Sequence, residues 1–121
     1  MMKASSIHFV LSGDTPYKDL APAFPDILKM FLAETEQVPE DEEIMLMFIE
    51  LNMNDLERNM KPEGYNRKGR MRMVFPMDKP EFYVKAVGKG ADVARVGEKI
   101  NEILSASGIR YTMVNNDLPE L

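Results

Sequence analysis

Few residues in this sequence have the chemistry of a reactive or ligand-binding site. The only histidine is His8, and there is no cysteine, so thiol catalysis, disulfides and thiolate metal sites are excluded together. A catalytic histidine needs a hydrogen-bonding partner and a pKa near the working pH. His8 lies inside an apolar run from Ile7 to Leu11. We interpret it as a histidine whose hydrogen bonds are satisfied within a strand.

The sequence contains no recognisable catalytic or cofactor motif. Walker A, Gly-x-Gly-x-x-Gly, Gly-x-Ser-x-Gly, Ser-x-x-Lys and kinase signatures are all absent. An oxygen-ligand metal site would have to come from Glu40, Asp41, Glu42 and Glu43. That cluster lacks the alternating ligand spacing and the turn glycine of a calcium loop. We therefore predict no catalytic residue, no metal and no cofactor.

Two turns that follow strands and precede helices could present backbone amides to an anion. One is Ser12 to Thr15, and the other is Gly88-Lys89-Gly90, which adds a cation. Glycines are also common at such turns because tight turns need positive φ. Gly88, Lys89 and Gly90 are the stronger anion-site candidate. Lys89 would supply the charge there, and the amide of Ala91 or Asp92 would be the donor.

The net charge of −5 is divided into three blocks. Residues 1–60 carry 4 basic and 12 acidic side chains, a balance of −8, and residues 61–89 carry 8 and 3, a balance of +5. Residues 90–121 carry 3 and 5, a balance of −2. Dense like charges face solvent or a cationic partner. Glu40, Asp41, Glu42 and Glu43 are therefore the partner-binding candidates.

The basic block contains one aromatic residue among its cations. Its members are Tyr65, Arg67, Lys68, Arg70 and Arg72. A nucleic-acid-binding domain is usually basic overall, whereas this chain has a pI of about 4.9. We expect no nucleic-acid partner, and any binding of a single strand here would depend steeply on salt.

Hydrophobic periodicity predicts alternating strands and helices. Ile7 to Leu11 reads as a strand, and a helix begins near Pro25 or Asp26 and ends near Glu36, with a separate short turn before it. Ile44 to Ile49 has no polar position, which is typical of a strand covered on both faces. Asn54 or Asp55 would then cap a helical turn through Met60. The remaining predictions are strands at 70–75 and 82–87 in a hairpin, a helix from Gly90 to a C-cap at Gly108, a strand at 109–114 and a polar tail at 115–121.

This order is β-α-β followed by β-β-α-β. It predicts an α+β, ferredoxin-like split βαβ sandwich (βαβ-ββαβ) with an extra strand or hairpin. Two helices would cover one face of a mainly antiparallel sheet, and residues 1–121 would form one domain. The longest apolar run, Ile44 to Ile49, is far shorter than the ~20 residues that span a membrane. We expect no membrane association, and the lack of cysteine favours the cytoplasm.

Eleven methionines suggest adaptable apolar surfaces. Met45, Met47, Met71 and Met73 fall in predicted strands, where they would fill the core or line an open sheet face. Our leading hypothesis is a non-catalytic binding module that acts through protein–protein contact. It would self-associate or bind a specific partner, as an acidic inhibitor or immunity-type protein covers a basic one. The alternative is a small-molecule or anion-binding domain, or a small enzyme, that uses the βα loops. Its candidate residues are His8, Asp14, Tyr65 and Lys89.

Overall fold

Four strands and three α-helices make up the part of the chain that the computed structural model describes, which is the backbone of residues 3–119 and the side chains of residues 4–115. The elements are β1 (Lys3–Leu11), a 3₁₀ turn (Tyr17–Leu20), α1 (Phe24–Glu34), α2 (Glu42–Glu57), β2 (Arg72–Val74), β3 (Glu81–Val87), α3 (Gly90–Ala106) and β4 (Tyr111–Pro119). The strands form one sheet in the order β2-β3-β1-β4. Every neighbouring pair is antiparallel. The prediction of an α+β chain with a mainly antiparallel sheet is confirmed, with three helices rather than two.

One face of the sheet forms the core with the helices. Successive side chains of a strand point to opposite faces, and in β1 the buried set is Ile7, Phe9 and Leu11. Phe9 stacks on Phe82 of β3, with ring centroids 5.1 Å apart. Phe82 stacks in turn on Phe75, again at 5.1 Å. The opposite face of the two central strands carries Ser6 and His8 from β1 and Glu81, Tyr83 and Lys85 from β3.

Helix α3 packs on β1 and β3 through one apolar face. Its fully buried or nearly buried residues include Val93, Val96, Ile100 and Leu104, which matches the spacing in the sequence. Gly97 allows the close approach, because a Cβ there would lie 2.5 Å from Cδ1 of Ile7. The predicted separate turn before α1 and the left-handed glycine after α3 are also confirmed, since Gly108 has φ of 73°.

The predicted strand at Ile44 to Ile49 is wrong, because these residues lie within α2. Asp41 caps the helix by accepting a hydrogen bond from the backbone N–H of Glu43 at 2.8 Å. Methionine, leucine and glutamate dominate the segment, and all three are good helix formers. Helix formation continues beyond Ile49 to Glu57, so the separate turn predicted near Asn54 is part of the same helix. In the described part of the chain there is therefore no fifth strand, and the methionines of this segment are helical.

The predicted polar tail at 115–121 is also wrong in part. β4 extends to Pro119, and residues 120 and 121 lie outside the described part of the chain. The reason is that β1 begins at Lys3 rather than Ile7, so its first residues offer backbone partners to 115–119. Asparagine and aspartate are poor strand formers, and the pairing overrides that preference.

Within residues 3–119, no helix is both long and apolar enough to span a bilayer.

Candidate functional site

The acidic cluster of residues 40–43 lies at the start of α2. Asp41 is the N-cap, and Glu42 and Glu43 occupy the first turn. Carboxylates are favourable there because the helix dipole places partial positive charge at the N-terminus. All four residues, Glu40 included, are exposed. The cluster therefore stabilises the helix through Asp41 and still presents several negative charges to solvent.

The outer side of α2 carries an apolar surface that the sequence analysis missed. Ile44, Met47 and Leu51 are 41%, 45% and 51% exposed. Their spacing of three and four residues aligns them along one side of a helix. We call these three residues the α2 ridge. The sequence analysis missed the α2 ridge because it predicted a strand here. In a strand, Ile44 would point to one face, and Met47 and Leu51 to the other.

The inner side of α2 holds the ridge firmly in place. Phe48, Asn52 and Leu56 are buried. The side-chain oxygen of Asn52 accepts a hydrogen bond from the N–H of Gly64 at 2.7 Å, and its amide donates to the carbonyls of Phe48 at 2.8 Å and Gly64 at 3.2 Å. This pairing ties the loop before β2 to the helix.

Two residues of the basic loop pack beside the ridge. Tyr65 meets Phe48 edge-on, with ring centroids 5.7 Å apart. The guanidinium of Arg67 lies 4.5 Å from the centroid of the Phe48 ring, which is a cation–π contact. The loop therefore extends the apolar surface and adds one positive charge at its border.

The other basic residues do not join them in one surface. Arg70 forms an ion pair with Glu36 at 2.9 Å. Arg72 lies in β2 on the sheet face away from the helices, opposite Lys85, and Lys68 is exposed in the loop. The continuous basic stretch of the sequence is thus spread over several parts of the molecule.

Gly88-Lys89-Gly90 forms the turn between β3 and α3, where Gly88 has φ of 66° and Lys89 is the N-cap. Lys89 lines a polar pocket together with Glu34, Thr35, Glu36, Arg70, Met71, Asp92 and Arg95. Arg95 donates to Glu34 at 3.0 Å and to Asp92 at 2.6 Å. Its hydrogen bond lowers the pKa of Asp92. The chain's own carboxylates thus occupy much of this positive environment, and anion binding by Lys89 stays a prediction.

His8 lies on the sheet face away from the helices and has partners on both ring nitrogens. Its Nδ1–H donates to Oε2 of Glu81 at 2.6 Å, and its Nε2 lies 2.9 Å from Oγ of Ser6. The ring stacks on Tyr83 with centroids 4.6 Å apart. Burial, and secondly the charge of Glu81, raise the pKa of Tyr83. We call Ser6, His8 and Glu81 the strand relay.

The strand relay has the connectivity of a nucleophile, a base and an orienting carboxylate. However, Ser6 is only 2% exposed. It also lies in a central strand that pairs with β3 and β4, so its own amide is not available to stabilise an oxyanion. Both ring nitrogens of His8 therefore have hydrogen-bonding partners, one in its own strand and one in β3.

Asp14, another candidate residue of the alternative function, lies away from His8. It lines an open cleft of about 520 Å³ with Thr15, Lys18, Asp19, Pro22, Ser107, Gly108, Ile109 and Arg110. His8 does not line this cleft. Among residues 3–119, no group of three or more histidine, aspartate or glutamate side chains could hold a metal ion.

The methionines divide between core and surface. Met71 and Met73 are 2% and 0% exposed and belong to the core. Met47 belongs to the α2 ridge, and Met45 is partly buried against the core. Met71 and Met73 therefore do not line the open sheet face, as one reading of the sequence suggested. Of the four methionines, Met47 on α2 is the exposed one.

Comparison with known proteins gives no relative for this chain. No family model, no curated protein and no solved structure matches it.

Proposed function

We propose that this chain is a non-catalytic protein-binding module and that the α2 ridge is its docking surface. The observation that carries the proposal is the exposure of Ile44, Met47 and Leu51 on one side of a single helix. Apolar side chains that the fold does not bury cost solubility, and contiguous exposed apolar surface marks interaction sites. Buried apolar anchors supply most of the affinity of a protein–protein interface.

The charges around the α2 ridge define the partner. Glu40, Asp41, Glu42 and Glu43 are exposed at one end of the ridge, and Glu50 is exposed on the same helix. Complementary charge steers association and selects among partners. A partner with an apolar groove and a basic border fits this surface, because a helix ridge docks into a groove.

The proposal extends to the fold type and the location. The order β2-β3-β1-β4 with antiparallel neighbours supports a ferredoxin-like split βαβ arrangement, in which α1 and α2 together fill the first crossover. The absence of cysteine supports a cytoplasmic location.

The test compares proteins retained from an extract of the source cells by three immobilised forms of the chain. The first is the wild type, the second combines Ile44→Ser, Met47→Ser and Leu51→Ser, and the control combines Met77→Ser and Val87→Ser. The control residues are 77% and 42% exposed but lie outside α2. We expect a basic protein on the wild type and the control but not on the ridge variant. Equal retention by the ridge variant would contradict the proposal.

A second set of variants tests the charge. Glu40→Gln, Glu42→Gln and Glu43→Gln remove three carboxylates while Asp41 keeps its capping hydrogen bond. Binding of the retained protein should weaken mainly through slower association, and added salt should produce the same effect in the wild type. An unchanged association rate would show that the acidic cluster does not steer the partner.

The strand relay supports the alternative function, a small enzyme or ligand-binding domain. Its hydrogen bonds would make Ser6 a nucleophile if a substrate could reach Oγ. A fluorophosphonate probe tests this directly, because it labels activated serines covalently. Labelling that disappears in Ser6→Ala and in His8→Gln would establish the enzyme and overturn the binding module. The burial of Ser6 leads us to expect no labelling.

A further inference from the structure

The second surface without a partner is the outer edge of β4. Among residues 3–119, the strand pairs with β1 alone and lies at the end of the sheet. Ser12 N–H donates to the carbonyl of Arg110 at 3.1 Å, and Leu11 N–H donates to the other side, to Pro80 at 2.8 Å. Because backbone groups alternate in direction along an antiparallel strand, the N–H and C=O groups of Tyr111, Met113 and Asn115 point away from β1. They are free to pair with another strand.

The first six residues of this edge lack the features that normally prevent such pairing, because the charge and the proline of β4, Asp117 and Pro119, lie only at its end. Natural edge strands are kept apart by charges, prolines, short length or a covering segment. Between Tyr111 and Asn116 there is no charged residue and no proline. The other edge strand, β2, is three residues long and contains Arg72. Its outer side is covered, because Tyr65 and Met73 exchange hydrogen bonds of 2.8 Å and 3.0 Å.

Both faces of the β4 edge are also exposed. Met113 is directly opposite Phe9 and therefore shares the core face, yet it is 37% exposed. Val114 is opposite His8 on the other face and is 44% exposed. An added strand would therefore cover apolar surface on both sides of the sheet while it satisfies the outward backbone groups.

We infer that two copies of this chain associate by antiparallel pairing of their β4 strands, which makes one continuous sheet across a two-fold axis. In an isologous pair centred on Met113, this residue faces its own copy. Tyr111 then faces Asn115, and Thr112 faces Val114. No like charges are placed opposite each other, which would be destabilising. The pairing also joins the outward-pointing residues to one another, as an antiparallel ladder requires.

The chain's own strand is thus an occupant whose register, charge and backbone pattern all fit the edge. The inference does not depend on the α2 ridge, because the two surfaces share no residue. A dimer of this kind would present two ridges, one from each copy.

Sedimentation velocity over a wide concentration range tests the inference with the purified full chain. Met113→Lys places two like charges at the two-fold axis. Met77→Lys is the matched control, because Met77 is 77% exposed and lies outside β4. We expect concentration-dependent dimers for the wild type and Met77→Lys, and monomers for Met113→Lys with an unchanged circular dichroism spectrum. A monomeric wild type, or dimers that persist in Met113→Lys, would overturn the inference.

Disulfide cross-linking gives a second measurement that does not depend on the folding of the lysine variant. The chain has no cysteine, so Met113→Cys introduces the only thiol. Directly opposed residues of paired strands are close enough for a disulfide to form with small adjustments. Met113→Cys should give covalent dimers much faster than Met77→Cys under the same oxidant. Equal rates would show that the two β4 strands do not meet.

Discussion

Helices α2 and α3 are of similar length but differ in what they show to solvent. α3 buries one apolar face and keeps charged residues outside, where Arg95 and Lys99 form ion pairs with Glu34 of α1. α2 also buries one face, yet the three apolar residues of the α2 ridge are exposed on its outer side beside its carboxylates. None of the ion pairs among the described residues involves α2. The fold buries all the large apolar residues of α3 wholly or in part. It leaves the α2 ridge unexplained.

This difference links a failed prediction to the proposed function. A helix is recognised in a sequence because polar residues alternate with apolar ones at its own period. The run from Ile44 to Ile49 has no polar position because both sides of the helix are apolar there. The feature that concealed the helix is therefore the same feature that supports a docking surface.

The largest expected contrast is between a buried residue of α3 and an exposed residue of α2. Ile100 is 0% exposed, and Ile100→Ala should lower the free energy of unfolding by about 2–5 kcal/mol. Leu51→Ala should change it by less than about 0.5 kcal/mol, because Leu51 is 51% exposed. Urea unfolding measures both. A loss at Leu51 comparable to that at Ile100 would mean that the α2 ridge is part of the core.

The sequence predicted the elements whose polar and apolar residues follow a clear local pattern, and it missed those that lack one. The helix α3, the strands β1 and β3 and the left-handed Gly108 all rest on local sequence patterns, and they were predicted, although β1 begins at Lys3 rather than Ile7. α2 was missed because no polar residue marked its period. The extension of β4 to Pro119 was missed because it depends on pairing with β1, which is distant in sequence.

The candidate site divides in the same way. Glu40 to Glu43 were singled out by charge alone, and the structure gives Asp41 a capping role that spacing to a helix start would have suggested. The α2 ridge could not be found without the helix. The partners of His8 could not be found either, since Glu81 is brought to it by the pairing of β1 with β3. The position of His8 in a strand was nevertheless predictable from the apolar residues around it.

The second contrast concerns the one polar residue on the buried side of α2. Asn52→Ala removes the hydrogen bonds to Gly64 and leaves that buried backbone unsatisfied, so stability should fall by about 1–3 kcal/mol. Asn54→Ala is the control, because Asn54 is exposed on the same helix. Thermal unfolding followed by circular dichroism measures both. A neutral Asn52→Ala would show that the loop before β2 does not hold α2 in place.

A smaller effect is expected where α3 meets β1. In Gly97→Ala the new methyl group would lie 2.5 Å from Cδ1 and 3.2 Å from Cγ2 of Ile7, so Ile7 must move. The cost of overpacking exceeds the gain in helix propensity, and we expect a net loss of about 1 kcal/mol. Gly13→Ala, which meets nothing within 4 Å, is the control. Greater stability in Gly97→Ala would mean that Ile7 can move aside and that the close approach of α3 to β1 does not require glycine.

The smallest effect concerns the charged outer side of α3, which α2 lacks. A hydrogen bond from Lys99, and secondly one from Arg95, lowers the pKa of Glu34 below the ordinary value of a glutamate. A carboxyl whose pKa is lower in the folded state adds stability above its unfolded pKa, and this contribution is lost as pH falls through the folded pKa. The free energy of unfolding of the wild type should therefore be slightly higher than that of Glu34→Gln at neutral pH. The two values should be equal in strong acid.

Two measurements check this expectation at the outer side of α3. The first is urea unfolding at several pH values, and the second is an NMR titration of the Glu34 carboxyl. Salt should reduce the difference, because the groups are partly exposed and screened. Glu102→Gln is the control for the loss of one negative charge, because Glu102 is exposed on α3 and makes none of the described ion pairs. If the Glu34 carboxyl titrates at or above 4.5, its ion pairs with Arg95 and Lys99 do not stabilise the outer side of α3. The exposed apolar residues of the α2 ridge would then be the remaining difference between the two helices, and a binding partner would explain them.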